Sequence, residues 1–284
     1  MFIQTSNKLC LAILILLSIH HTRSNQGSTF HDSKPEQNIS CIGLFQHSDS
    51  MLNGLTWANW GSRPYEYSWA SRIANVNNKR IIDLGTGLPS QHSWYNFVVK
   101  TLKPAFYVGI DIDERMDHEQ IETNKYALKK MSMTNIAYPS EYFDVAYCIS
   151  TFEHLTYKDF MISIGEIHRI LKNDGLLIIT LDESWDKDVT QNYNNSWNVL
   201  ERDLVQLGLH NNQSYSFCLV DFLLLIKEKF VCLKDAEINH QNKTIRTSNS
   251  IIYQKNNRDQ NVLHNPLYNS CVSYAILKKV TNVQ

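Results

Sequence analysis

Arg80-Ile81-Ile82-Asp83-Leu84-Gly85-Thr86-Gly87 decides how the chain is to be read. An apolar run rich in β-branched residues ends in an acid, and two glycines follow within three positions where a helix is about to begin. Glycines at the carboxyl end of a strand let a ligand approach the backbone closely, and open α/β sheets bind ligands at those ends. The whole chain holds only 10 glycines, about half the usual share, so two of them this close together stand out. The segment reads as a cofactor loop. A sharp turn without a ligand would have the same local pattern.

Working outward, short apolar runs alternate with amphipathic runs of helical length from Arg80 to Thr180, the signature of repeated βα units and a parallel sheet. Strands are expected at Arg80–Leu84, Ala105–Ile110, Phe143–Ile149 and Leu176–Thr180, with a weaker one near Tyr126–Ser132. Thr156 with Asp159 resembles a capping box. Phe160, Ile164, Ile167 and Leu171 then keep one face of a helix, which Asn173-Asp174-Gly175 should stop. Trp94, Val98 and Leu102 keep helical spacing between the first two strands, with Pro104 at the exit. Asp111 closes the second strand, in Tyr107-Val108-Gly109-Ile110-Asp111. A carboxylate there can accept hydrogen bonds from ribose hydroxyls, and Asp113 is a weaker competitor. The pattern G-x-G-x-x-G would need glycine at position 90, where the chain has Ser90, so nicotinamide dinucleotide binding is disfavoured.

Three motifs in order resemble class I S-adenosylmethionine-dependent methyltransferases over residues 78–181. They are the Asp83–Gly87 loop, the strand ending in Asp111, and Phe143–Ser150 followed by Phe152-Glu153-His154-Leu155; the run Glu166–Gly175 is also typical of the family. The resemblance implies a doubly wound, mostly parallel seven-stranded α/β sheet with helices on both faces. It implies S-adenosyl-L-methionine as cofactor, with Asp83, Gly85, Thr86 and Gly87 around its methionine end. Asp111 would bind the ribose, Ile112 would pack on the adenine, and Ser150 would lie beside the cofactor. Pro89 stands where a third glycine is common in the family, a place that suits proline if it opens the helix. The acid that often holds the adenine amino group is missing, with Ser132 and Met133 near its place.

Methyl transfer needs a nucleophile held in line with an already activated methyl group, and a base only if that nucleophile arrives protonated. His154 is the candidate catalytic base, since an unperturbed imidazole titrates near pH ~6.5. It could equally begin a loop and pack on a ligand. Glu153 is a candidate substrate contact. The cluster Trp60–Trp69 precedes the first strand, where the resemblance implies a cover over the cofactor. Arg63, Glu66 and Tyr67 are therefore placed near the acceptor pocket, and residues 41–79 are expected to form a mostly helical aromatic cover.

Composition narrows the partners. Lys plus Arg is 27 and Asp plus Glu is 28, a net charge of −1, which offers no broad footprint for nucleic acid or acidic lipid. Among the 6 cysteines no C-x-x-C occurs, so no metal site is expected. Sequons at Asn38, Asn194, Asn212 and Asn242 occur about as often as chance provides and carry no weight. Lys8 precedes the apolar run Leu9–Ile19, too short for a bilayer span of about 20 residues but suited to a signal peptide ending near residue 24. The reading is thus a leader 1–24, a polar lead-in 25–40 and one domain 41–284, exported, or cytoplasmic if the leader is not a signal. The acceptor is a small molecule or glycan. The rival readings are a noncatalytic cofactor- or partner-binding module and another Rossmann-like transferase. Beyond Asp182 the expectations are a helix carrying Trp197, Leu200, Leu204 and Leu207, sheet pieces at Phe222–Ile226 and Tyr274–Leu277, and a long hairpin loop or insertion over 239–270.

Overall fold

A computed structural model describes residues 41–46, 48–51, 62–73, 75–88, 94–119, 121–184, 218–233, 236–239, 241–242, 244–247, 250–254, 264–265 and 270–281. The leader, the lead-in, Trp60, Pro89 and the Trp197–Leu207 helix lie outside the described residues. In chain order, strand β1 (Ile42–Leu44) is followed by helix α1 (Arg63–Ile73) and strand β2 (Arg80–Leu84). Helix α2 (Trp94–Phe97) continues as a wider π turn over Val98–Leu102 and leads to β3 (Phe106–Asp111). Then come α3 (Met116–Glu119), β4 (Ile121–Glu122), β5 (Tyr126–Lys130), β6 (Phe143–Ile149), α4 (Tyr157–Ile170) and β7 (Leu171–Ser184). The last part holds α5 (Leu219–Ile226) and β8 (Phe230–Cys232), β9 (Glu237–Asn239), β10 (Thr244–Thr247), β11 (Ser250–Gln254), β12 (His264–Asn265) and β13 (Ser270–Lys279).

The central strand is β2. It pairs in parallel with β3 on one side and with β6 on the other, and β5 and β7 extend the sheet outward in the same sense. The chain therefore winds one way from β2 and then returns to wind the other way, and a crevice opens at the carboxyl ends of β2 and β6 where the direction reverses. The antiparallel β13 closes on β7 over the register Ser270↔Ser184 to Lys278↔Leu176, and β8 pairs with the far edge of β13. These seven strands match the expected doubly wound architecture. Short β1, β4 and β12 bring the sheet to 10 strands.

Two apolar layers follow from the pleat, which sends alternate residues to opposite faces. Ile82, Val108, Ala146, Leu177 and Ile179 join Phe160, Ile164 and Ile167 of α4 and Phe222 of α5 in one core. Ile81, Tyr107, Val145, Tyr147 and Ile178 join Tyr67 and Trp69 of α1 and Trp94 of α2 in the other. Thr156 caps α4 by accepting the N–H of Asp159 at 3.2 Å, one of the donors a helix start otherwise leaves unpaired.

The structure departs from the sequence reading at the ends of these elements. Helix α4 stops at Ile170, because Leu171 already pairs with Phe143; the register then jumps to Val145↔Leu176. Asn173-Asp174-Gly175 thus turns within β7, with Asp174 at φ +62°, instead of ending the helix. Phe222–Ile226 is helical and not a sheet piece. The run Leu219–Ile226 is apolar nearly throughout, so periodicity cannot separate a buried helix from a strand. What settles it is a start: Glu183 accepts the N–H of Leu219 at 2.9 Å. In the N-terminal cover only Arg63–Ile73 is helical among the described residues, while Ile42–Leu44 is a strand on β13. A small antiparallel meander, β9–β10–β11, begins at Glu237 and runs into the polar stretch after 239.

Ile164 is fully buried between α4 and the sheet. Ile164→Ala is expected to lower the unfolding free energy by about 2–5 kcal/mol, against about 1 kcal/mol for Thr156→Ala, as read by urea denaturation.

Candidate functional site

The loop after β2 is held in a shape that only glycine adopts without strain. Gly85 has φ +73° and Gly87 φ +66°, the left-handed region. A Cβ on Gly85 would also meet the Thr151 side chain at 2.2 Å. The N–H groups of Gly85 and Thr86 both point to the carbonyl of Ile110, at 2.9 and 3.1 Å, which draws the loop across the end of β3. Asp111 completes the join: its carboxylate accepts the N–H of Gly87 at 2.8 Å and that of Asp113 at 3.0 Å. A carboxylate has about four acceptor positions, so lone pairs remain for hydroxyl donors. Asp113 itself is engaged by Arg115 in an exposed pair.

Asp83 lies beneath the loop. It is 2 % exposed and accepts from the Tyr107 hydroxyl at 2.8 Å, which in turn sits 3.1 Å from Thr86 Oγ1. Burial pushes the Asp83 carboxyl up to about 6, against the pull of the Tyr107 and Thr86 hydrogen bonds.

A second polar layer forms where β6 and β7 end. Arg63 and Glu66, one turn apart on α1, form an ion pair in which one guanidinium nitrogen, Nη1, donates to both carboxylate oxygens at 2.8 and 2.9 Å. Glu66 is fully buried and also accepts from Ser150 Oγ at 2.7 Å and from Thr180 Oγ1. Ser150 sits at φ +41°, a strained place for a residue with a side chain, costing of order 1–3 kcal/mol. Its N–H bonds to the carbonyl and hydroxyl of Thr180, at 3.1 and 3.0 Å, and these bonds with that to Glu66 hold it there. Burial works against the Arg63 charge, but Glu66, Asp182 and Glu153 more than offset this and keep the guanidinium protonated. Such a buried pair contributes little net stability and mainly fixes geometry.

Both layers meet in one cavity of about 410 Å³, within the range of ligand pockets. Of the residues singled out in the sequence, Arg63, Tyr67, Asp83, Gly85, Thr86, Gly87, Asp111, Ile112, Ser150 and His154 line it. Ile112 is 67 % exposed, an apolar side chain left open beside Asp111. Glu66 and Glu153 are not on the wall; they are buried behind it. His154 stays exposed at the mouth, where partial shielding and the repulsion of Arg63 hold its pKa below the usual histidine value, so it is neutral near pH 7 and able to accept a proton. Ser132 and Met133 also line the cavity, and the Ser132 hydroxyl lies 2.7 Å from that of Thr134.

The sequence reading missed several participants. Trp94 lines the cavity and stacks on Tyr67 at 4.7 Å, with its buried indole N–H without a partner among the described residues; its helical spacing pointed only to a core role. Asp159 lines the wall as well, although the sequence offered it only as a cap. Thr180 and Asp182 carried no local signal at all. Among the described residues no group of side chains could hold a metal ion, and no helix is long and apolar enough to cross a membrane.

The raised Asp83 pKa has a measurable sign. A carboxyl that is harder to ionise in the fold than in the open chain favours the fold below pH ~4 and loses that contribution as the pH rises through about 6, roughly 3 kcal/mol in all. Asp83→Asn is therefore expected to melt higher than the parent at pH 8 and to show less pH dependence between 4 and 8. A melting temperature at pH 8 equal to or below the parent's would show that burying the Asp83 carboxylate carries no such cost.

Residues 82–179 match a protein family described as "Methyltransferase domain". No curated protein matches the chain. Solved structures that it resembles include an S-adenosylmethionine-dependent methyltransferase from Mesorhizobium loti, at 12 % identity and a TM-score of 0.45, covering 78 % of this chain and 99 % of that one. Another is the 1,6-didemethyltoxoflavin-N1-methyltransferase of Burkholderia thailandensis, solved with 1,6-didemethyltoxoflavin and S-adenosylhomocysteine, at 11 % identity and a TM-score of 0.45, covering 76 % and 79 %. Over residues 82–179, then, the chain is similar to a methyltransferase domain.

Proposed function

We propose that the protein transfers the methyl group of S-adenosylmethionine to a nucleophilic atom of a small molecule or glycan. The observation that carries this reading is the placement of Asp111 opposite the Gly85–Gly87 turn, at the strand reversal and on the wall of one cavity. The residues present suit the cofactor. A Cβ at Gly85 would close the cradle, Asp111 keeps acceptor positions for a ribose diol, and the open Ile112 side chain offers an apolar surface for a purine. Met131, Ser132 and Met133 continue that wall in place of an acid, so the purine would be held by packing more than by charge.

The cofactor supplies a sulfonium-activated methyl group. The protein's part is to hold the acceptor in line and keep water out. Arg63, Tyr67 and Ser150 form the wall of the cavity on the side of α1 and β6, and the Glu66 network fixes the Arg63 and Ser150 side chains, which favours a defined approach. His154, neutral at the mouth, is placed to take a proton from an acceptor that arrives as an alcohol or an ammonium.

Calorimetry with S-adenosylmethionine and S-adenosylhomocysteine tests the reading. Micromolar binding is expected, weakened at least tenfold by Asp111→Ala, and radiolabelled methyl transfer to an acceptor should be lost with it. A folded parent that binds neither ligand contradicts the proposal. Binding without consumption of the cofactor under any acceptor would favour a noncatalytic module.

A further inference from the structure

Behind the cavity wall lie two acids that the transfer chemistry does not use. Glu153 follows β6 in a single 3₁₀ turn, and Asp182 sits near the end of β7. Glu153 is 5 % exposed; its Oε1 accepts the backbone N–H of Asp182 at 3.2 Å. The other oxygen, Glu153 Oε2, is buried without a hydrogen-bond partner among the described residues, as is Asp182 Oδ1. A buried carboxylate oxygen left unpaired is costly, and two neighbouring carboxylates out of water resist double ionisation. Burial and then the mutual repulsion of the pair raise Glu153 well above the usual carboxylate range, and burial and Glu66 raise Asp182 to about 7. One proton held between the two relieves both problems, and the pair then titrates as a unit.

The groups around the pair fix its charge balance. From α1 come Arg63, Glu66 and Tyr67; from β6 and its turn, Cys148 and His154; from β2, Asp83. Arg63 is the cation among them, and it also lines the cavity. With one proton on the pair, Glu66, the pair and Asp83, ionised above about pH 6, bring three negative charges against the one positive charge of Arg63. The network is left with a net negative charge beside the cavity. The cofactor carries a sulfonium cation before transfer and a neutral thioether afterwards, while its amino-acid end is the same in both forms.

We propose that Glu153 and Asp182 share one proton and thereby set the preference of the site for the charged cofactor over the spent one. The inference rests on the methyltransferase reading of the cavity. A cation bound beside the network favours release of the shared proton, and a neutral thioether does not. By linkage, S-adenosylmethionine binding is proton-releasing and strengthens as the pH rises, whereas S-adenosylhomocysteine binding stays nearly level. Conversion of one into the other then draws a proton back to the pair and weakens the hold on the product.

The experiment is calorimetric titration of the full chain with both ligands from pH 6.5 to 8.0, in two buffers of different ionisation enthalpy. Proton release is expected for S-adenosylmethionine alone. The ratio of the two dissociation constants should move toward S-adenosylmethionine by between about two- and fifteen-fold, the effect of one charge over ~10 Å at effective dielectric constants from ~80 to ~20. Asp182→Asn should flatten that pH dependence. Glu153→Gln should do the same and serves if Asp182→Asn does not fold by circular dichroism. His154→Asn should retain it, which separates the pair from the imidazole. A ratio indifferent to pH, or equally pH-dependent in both acid variants, overturns the inference while leaving the cofactor site intact. Binding of neither ligand to the parent removes the cofactor reading itself, and the inference with it.

Discussion

The hydrogen bond from the Gly87 N–H to the Asp111 carboxylate, 2.8 Å long, is the point on which the site depends. It ties the loop leaving the central strand to the end of the next strand, so the crevice made by the strand reversal has a fixed rim. The bond requires Gly85 and Gly87 in the left-handed region, and the Thr151 side chain presses against Gly85 where any Cβ would stand. Sheet order, turn conformation and the position of an acid are here one constraint. Altering any of them alters the others.

A second constraint comes from charge taken out of water. Arg63 and Glu66 belong to a helix before the sheet, and Ser150 and Thr180 to the ends of β6 and β7. Their hydrogen bonds join segments far apart in the chain, 114 residues for Thr180 and Glu66. Removing one member strands the others, and breaking such buried pairs costs about 3–5 kcal/mol. The arrangement is thus an expensive way to hold a fold. It is a reasonable way to hold Ser150 in a strained conformation beside a cavity.

How much could be read from the residues follows from the range of each signal. β2, β3 and β6 were legible because each is a short β-branched or aromatic run bounded by turn residues. The Asp83–Gly87 loop and Asp111 were legible because their spacing is local. Helix α5 was not, since Leu219–Ile226 is apolar almost all round and carries no period. The early start of β7 depends on Leu171 meeting Phe143, a pairing that no local pattern announces. Glu66 and Glu153 were picked out near the acceptor, yet burial puts both behind the wall. Asp182 gave no signal because its role exists only once β7 lies beside β6.

A crystal structure with S-adenosylhomocysteine bound would test the central claim most directly. The ligand is expected in the cavity between the Gly85–Gly87 turn and Ile112, with its ribose hydroxyls on the Asp111 carboxylate. A ligand bound elsewhere, or one that leaves Asp111 uncontacted, would contradict it.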